Sequence, residues 1–275
     1  MGYGGYALFK KSCAKIFMLY SLFNKFMIQN KIHDFAIVPF DKCILINEPM
    51  LKRHFGDTVP KSVIVFIVPY YTGDYPERNV SLYAVSKDYH AYFKSLYESL
   101  PDSQFKFKGY ADSSPIDEVH IAAAAGLGII GDNGLLINEK HGSFIFIGEI
   151  ITDYEFDKYN EIKPIQNCTH CGKCKAACPM ETECLSAITQ KRGDLTDDEI
   201  ALIRKYGTAW GCDICQTVCP HNDRVRLTEI EFFYEDIRSV VDEDGDIENR
   251  AYEWRGKKCI QRNIRLLNQG KDQND

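Results

Sequence analysis

Several common features are missing from this 275-residue chain. No apolar run reaches the roughly 18 residues needed to cross a bilayer. The stretch from Ile16 to Phe23 is short, Lys15 breaks it on one side, and no small-residue cleavage site follows. Neither a removable signal nor a membrane anchor is therefore expected. Positive charge is not in excess: 33 Lys and Arg against 39 Asp and Glu leave a formal net charge of −6, which excludes a strongly basic nucleic-acid footprint. No repeat of solenoid period is visible. With 45% hydrophobic and 26% charged residues, a disordered or collagen-like chain is also excluded. What the chain holds in excess is cysteine, eleven in all. An odd count without a secretory signal points to a reducing, cytoplasmic setting. There, clustered cysteines mean metal or redox chemistry rather than disulfides.

The apolar pattern suggests layered α and β elements. Leu19, Leu22, Phe23 and Phe26 follow helical spacing, with residues 1–17 read as an upstream extension. Phe35–Val38 and Ser62–Tyr70 read as buried strands, and Leu82–Leu100 carries one continuous helical stripe. A strand at Phe105–Tyr110, a helix from Pro115 to Ala125 and strands at Leu135–Asn138 and Ser143–Ile151 complete this part. The composition changes at Asn167. Beyond the cysteines lies a charge-segregated tail, acidic from Glu229 to Glu248 and basic from Arg250 to Lys271, expected to pack on the body or fray.

Eight cysteines fall between Cys168 and Cys219. Cys168, Cys171, Cys174 and Cys178 form C-x2-C-x2-C-x3-C followed by Pro179, the bacterial ferredoxin run, in which the fourth thiolate serves the other cluster. Cys212, Cys215 and Cys219 form C-x2-C-x3-C before Pro220, one thiolate short, and Cys184 can supply it. By the crossover rule, one 4Fe-4S cluster takes Cys168, Cys171, Cys174 and Cys219. The other takes Cys178, Cys184, Cys212 and Cys215. Zinc would leave the Cys-Pro cysteines unexplained. Cys13, Cys43 and Cys259 remain as packing or surface thiols.

Gly126-Leu127-Gly128-Ile129-Ile130-Gly131 matches a dinucleotide fingerprint, but a helix precedes it and a strand follows, the reverse of what that site needs. Gly126 reads as the residue just past a helix end. In Asp112-Ser113-Ser114-Pro115-Ile116-Asp117, Ser114 reads as a helix cap, Pro115 as the first helical residue and Asp117 as the end of a capping box. Asp112 is left either as a solvated loop residue or, if burial raises its pKa, as a general acid. His90 reads as a half-buried packing histidine. Asp242, Asp244, Asp246 and Glu253 mimic calcium-loop positions, but Ile247 stands where glycine is required.

Taken together, these residues resemble the epoxyqueuosine reductase family. Tyr83-Ala84 with Asp88-Tyr89-His90 carries the resemblance, as do Asp112–Pro115 with Gly126–Asn133, Gly142–Phe144 through Gly148-Glu149, and the eight cysteines with Trp210–Gln216. The resemblance implies an α+β chain: a nitroreductase-like, cobalamin-binding catalytic domain over 18–160, then a ferredoxin-like module of two 4Fe-4S clusters over 161–226, then the charged tail over 227–275. It also implies a low-potential donor of ferredoxin or flavodoxin type and a monomer. The reaction would be two-electron reductive loss of the epoxide oxygen from a modified base in tRNA, with Asp112 as proton donor. Asp88, His90, Asn133, Ser143, Ser186, Thr189, Gln190 and Arg192 would be corrinoid contacts.

The chain departs from the pattern in places. Ser86-Lys87 replaces the usual Gly-Arg, Asp132 stands beside Asn133 where a basic residue is common, and the loop between Cys178 and Cys184 is short. The family's helical-repeat extension, which would begin near Arg262-Asn263, is missing. Arg250, Arg255, Lys257, Lys258, Arg262 and Arg265 could bind phosphate, but neutralising the acidic segment is the favoured reading. A different small substrate, an organohalide or epoxide, and a corrinoid-free electron-transfer protein are the alternatives.

Overall fold

The structure is a computed structural model describing residues 20–100 and 104–271. The expected extension at 1–17, Leu19 and Cys13 lie outside the described residues. A helix α1 spans 20–29. Then follow β1 (Phe35–Pro39), α2 (Glu48–Phe55), β2 (Ser62–Pro69), α3 (Tyr89–Glu98), β3 (Phe107–Ala111) and α4 (Glu118–Ala124). Two short strands, β4 (Ile129–Ile130) and β5 (Leu136–Ile137), precede β6 (Ile145–Thr152). Beyond it come α5 (Lys173–Ala177), α6 (Leu185–Thr189), α7 (Asp197–Tyr206), α8 (Ile214–Thr217) and α9 (Lys257–Lys271). Among the described residues, no helix is long and apolar enough to cross a membrane.

These elements form two compact units, each discontinuous in sequence. The first comprises the chain to Val68, Ser95–Ile130 and Phe146–Gln166; the second comprises Pro69–Lys94, Gly131–Ile145 and the chain from Asn167. The first unit is organised on a four-stranded sheet of order β1-β2-β6-β3. β1 runs antiparallel to β2 with Phe35 opposite Phe66, and β3 runs antiparallel to β6 with Phe107 opposite Thr152. Antiparallel pairing with helices between the strands makes the fold α+β. All eight residues of β2 are buried, as its unbroken apolar run predicts. Phe23 on α1 packs against Phe107 and Phe156 at 5.2 and 6.0 Å between ring centres. Phe26 and Met27 are buried with it. Leu22, expected on the same stripe, is instead exposed.

Two helix boundaries differ from expectation, for identifiable reasons. The helix after Asp112 begins at Glu118, and its cap is Asp117, whose carboxylate accepts from His120 N–H at 3.0 Å. Ser114 does not cap it. The Pro115 carbonyl accepts the Ile46 and Asn47 N–H groups, and Asp117 N–H donates to Ile44, so 115–117 are held extended. The expected continuous helix over 82–100 is a 3-10 turn, Leu82–Ala84, a break, and then α3. The guanidinium of the fully buried Arg250 takes the carbonyls of Val85 and Ser86 at 3.2 and 3.1 Å, which removes the acceptors a continuing helix would use. As expected, Gly126 follows a helix end: it adopts φ +81°, and Leu127 N–H returns to the Ala122 carbonyl at 3.0 Å.

In the second unit α6, α7 and α9 close around Leu185, Ile188 and Ile203. α7 begins with a capping box of Thr196 and Glu199 and ends at Gly207 in the left-handed conformation. The charged tail packs here rather than fraying: Phe233, Tyr252, Ile260 and Ile264 are buried, and Asn263 donates to the Thr189 and Ala209 carbonyls at 2.7 and 2.8 Å. Its basic half neutralises its acidic half. Arg265 meets Glu243 and Arg250 meets Asp236, each at 2.5 Å, and Lys257 donates to the Asp244 carbonyl.

Candidate functional site

The eight clustered cysteines all lie in the second unit. Gly172, in the left-handed conformation, turns the chain into α5, which carries Cys174 in its first turn and stops at Cys178. Cys215 sits in α8, Cys219 precedes the 3-10 turn Pro220–Asn222, and Cys184 caps α6. α5 packs on α8, which brings the two runs together. Cys168, Cys171, Cys174 and Cys219 line one small cavity with Asp132, Asn133 and His221. Cys171, Cys174 and Cys168 raise the Cys219 thiol electrostatically, and Cys184, Cys178 and Cys174 raise the Cys215 thiol, so Cys174 acts on both.

The donor chemistry fits iron–sulfur clusters. Burial pushes the Cys212 thiol up to about 11, with Cys184, Asp213 and Cys215 adding to the rise. Crowded, desolvated thiols of this kind ionise when a metal charge compensates them. Cys43 and Cys259 are outside the clustered eight. Burial, reinforced by Glu149 and Asp41, pushes Cys43 up to about 12, an inert thiol. Cys259 is buried against the Thr189 and Lys191 carbonyls. Cys43→Ala is therefore expected to leave the iron content of purified protein unchanged. Cys219→Ser should remove roughly half of about eight irons, read by iron assay and low-temperature electron paramagnetic resonance.

The residues expected to contact a corrinoid also lie in the second unit, and they divide by exposure. His90 is exposed, not half-buried, and its Nδ1 pairs with Asp88 at 2.8 Å. Arg192 is exposed, and Ser186 and Gln190 are half-buried and bonded to each other. Asn133 bonds toward Cys215. Ser143 and Thr189 are buried with their hydroxyls engaged: Ser143 by Gln216 and Asn222, Thr189 by Gly211 N–H and the Ser186 carbonyl. A half-buried to exposed set mixing a carboxylate, an imidazole, amides and a guanidinium offers donors and acceptors of the kind a corrinoid's amide rim can use. Asp132, the departure noted above, pairs with His170 at 2.7 Å beside Cys168.

Asp112 lies in the first unit, at the turn after β3. It is exposed and adopts φ +62°, while Ser113 N–H closes a three-residue turn onto the Ala111 carbonyl at 2.6 Å. Aspartate is one of the residues that tolerates the left-handed region in tight turns. Two acids of this unit, the half-buried Glu118 and the fully buried Glu149, were missed in the sequence. Burial pushes Glu118 up to about 7, with Asp112 and Asp117 contributing. Burial also pushes Glu149 up to about 8, against a lowering bond from Ser114 and with Glu118 and Asp117 raising it. The available signal was a lone glutamate inside the apolar strand Ile145–Thr152.

A protonated pair has a stability signature. Their folded pKa values lie above the unfolded ones, so the native state binds more protons. The contribution is complete below about pH 4.5 and is lost as pH rises through about 7 and 8. Urea midpoints of the wild type should fall over that window, and Glu149→Gln should flatten the fall. An unaltered slope in the variant would count against a protonated Glu149.

The segment 165–181 matches the family model for a 4Fe-4S binding domain. An epoxyqueuosine reductase of Lactococcus garvieae is 30% identical over 65% of this chain and 58% of its own length. One of Synechocystis is 34% identical over 63% of this chain and 67% of its own. The chain thus spans between about three fifths and two thirds of these relatives. A solved epoxyqueuosine reductase, held with a tRNA-Tyr epoxyqueuosine-modified stem loop, superposes with a TM-score of 0.68 at 21% identity, covering 90% of this chain and 81% of that one.

Proposed function

Because the chain belongs to the epoxyqueuosine reductase family, we propose that it reduces epoxyqueuosine to queuosine in tRNA, a two-electron deoxygenation served by two 4Fe-4S clusters and cobalamin. The observation that carries this reading is the gathering of eight cysteines in one unit, with Cys168, Cys171, Cys174 and Cys219 around a single cavity, a thiol set large enough for two clusters. When bound, the clusters and the corrinoid supply the two electrons at low potential that the carbon–oxygen bond must accept.

The chain's own residues do the rest. Cys168, Cys171, Cys174 and Cys219 hold one cluster, and Cys178, Cys184, Cys212 and Cys215 hold the other. Asp88, His90, Asn133, Ser186, Gln190 and Arg192 bind and orient the corrinoid rim. Ser143 and Thr189 keep Gln216, Asn222 and Gly211 in place behind them. Asp112 holds the proton that the departing oxygen needs, which lowers the cost of the developing alkoxide. An electron donor of ferredoxin or flavodoxin type fits the low potential required. Arg250 and Arg265 are spent on Asp236 and Glu243, so within the basic tail they are not the groups that meet the tRNA.

The test is anaerobic reconstitution with iron, sulfide and cobalamin, followed by reduction and incubation with an epoxyqueuosine-modified tRNA stem loop. Mass spectrometry of the released nucleosides should show loss of one oxygen. Failure to retain cobalamin would sink the proposal. Retention without turnover of the stem loop would point to another small epoxide or organohalide as substrate.

A further inference from the structure

We propose that His221 donates its Nε2–H to a sulfur of the 4Fe-4S cluster held by Cys168, Cys171, Cys174 and Cys219, and thereby sets the potential at which that cluster accepts an electron. The inference rests on the two-cluster reading above and holds whatever substrate is reduced. His221 lines the cavity around those four cysteines, and its Nε2 is buried without a hydrogen-bond partner among the described residues. A buried polar atom left unpaired is costly, and such atoms are rare in native proteins. The thiolate and sulfide sulfurs that a cluster places in this cavity are acceptors, and they supply the missing partner.

The chain fixes this residue from both sides. Cys219 caps the 3-10 turn Pro220–Asn222, and Asn222 N–H returns to the Cys219 carbonyl at 2.9 Å. The Asn222 amide is itself pinned. Its Oδ1 accepts from Ser143 N–H at 2.8 Å, and its Nδ2 donates to Ser143 Oγ and the Gln216 carbonyl at 2.9 and 2.8 Å. Gly142 adopts φ +57°, and a side chain there would collide with Asn222 Oδ1. His221 thus sits between a cluster ligand and an anchored asparagine, on a turn with little freedom to swing. Its main-chain N–H already donates to the Cys219 thiol. The other imidazole of this region, His170, is exposed and spends its Nδ1 on Asp132 at 2.7 Å.

The effect follows from the charge the cluster gains. A neutral imidazole carries hydrogen on one ring nitrogen, and facing sulfur acceptors Nε2 is the nitrogen that carries it. Reduction of the cluster adds one electron; no proton moves and no covalent bond breaks. The sulfurs become more negative, so the N–H···S bond strengthens. The reduced state gains more from that bond than the oxidised state does, and the potential rises, hydrogen bonds to the sulfurs being one of the levers on cluster potential.

The test uses the full-length protein reconstituted with iron and sulfide. In redox titrations followed by electron paramagnetic resonance, His221→Leu should lower the midpoint of one cluster and leave the other in place. The expected shift is about tenfold in the hold on the electron, or about 59 mV for a one-electron couple. His221→Gln, whose amide N–H reaches about as far as Nε2, should recover most of it. A second readout looks at the bond itself. Wild type grown on heavy-nitrogen-labelled histidine and then reduced should show a nitrogen coupling in pulsed electron paramagnetic resonance, and His221→Leu should lose it. Unshifted midpoints in a His221→Leu protein of full iron content overturn the proposal and leave the two clusters and the deoxygenation reading standing. Absence of the nitrogen coupling in wild type overturns it even where His221→Leu fails to load iron. Wild type that binds no cluster overturns both.

Discussion

Asp112→Asn is expected to lower the rate of epoxyqueuosine reduction by about 10²- to 10⁴-fold, the range spanned by the loss of a general acid. At about 1.36 kcal/mol per tenfold, that corresponds to roughly 3–5 kcal/mol of transition-state stabilisation. The amide fills the same space and tolerates the left-handed φ of +62° found at this turn, so the backbone should not move. It cannot release a proton. Cluster content should be unchanged, because Asp112 lies in the unit without the eight clustered cysteines. The measurement is single-turnover loss of epoxyqueuosine, with iron and cobalt assayed on the same sample. A variant with full cofactor content and a wild-type rate would remove Asp112 from the reaction.

Arg250→Met should cost about 1–3 kcal/mol of stability, the penalty for leaving buried carbonyl acceptors unpartnered, since the Asp236 carboxylate is half-exposed and can be rehydrated. Arg250 is completely buried and donates to the carbonyls of Val85, Ser86 and Asp236 while pairing with the Asp236 carboxylate. Methionine fills most of the volume and supplies none of the donors. The Val85 carbonyl keeps a second donor, Arg238 N–H at 2.9 Å, whereas the Ser86 carbonyl loses its guanidinium contact. The urea midpoint should drop with the slope unchanged. Arg250→Lys should recover little, since a point charge cannot span three acceptors as a planar fork does. A midpoint within about 0.5 kcal/mol of wild type, the range of ordinary surface substitutions, would show that the cluster contributes little.

These two residues mark the limits of what the sequence made legible. The iron–sulfur module could be read because cluster ligands come from short runs whose spacing is itself the geometry. β2 could be read because a strand buried on both faces is apolar throughout. Arg250 could not: its role depends on carbonyls more than 160 positions away in the chain, and from its neighbours it looked like one more basic tail residue. The same distance effect hid the break before α3 and displaced the cap from Ser114 to Asp117, where a bridge to Leu45 overrides the local signal. Glu118 and Glu149 were hidden because burial is a tertiary property, and one glutamate in an apolar run is only a hint of it. Of the two local readings of Asp112, its exposure matches the solvated loop residue; the carboxyls that burial raises are Glu118 and Glu149.

The discontinuous make-up of the two units has a consequence for how the protein is made. The first unit has all its segments once Gln166 has left the ribosome, so it can fold while synthesis continues. The second cannot, because Pro69–Lys94 waits for the Arg250 contacts and α6 waits for α9. Cys168, Cys171 and Cys174 therefore emerge as open thiols before Cys219 exists to complete their group. Iron offered during translation would meet an incomplete ligand set. A complete set of thiols for either cluster is on hand only once the Cys212–Cys219 run has emerged, so loading follows synthesis of both cysteine runs.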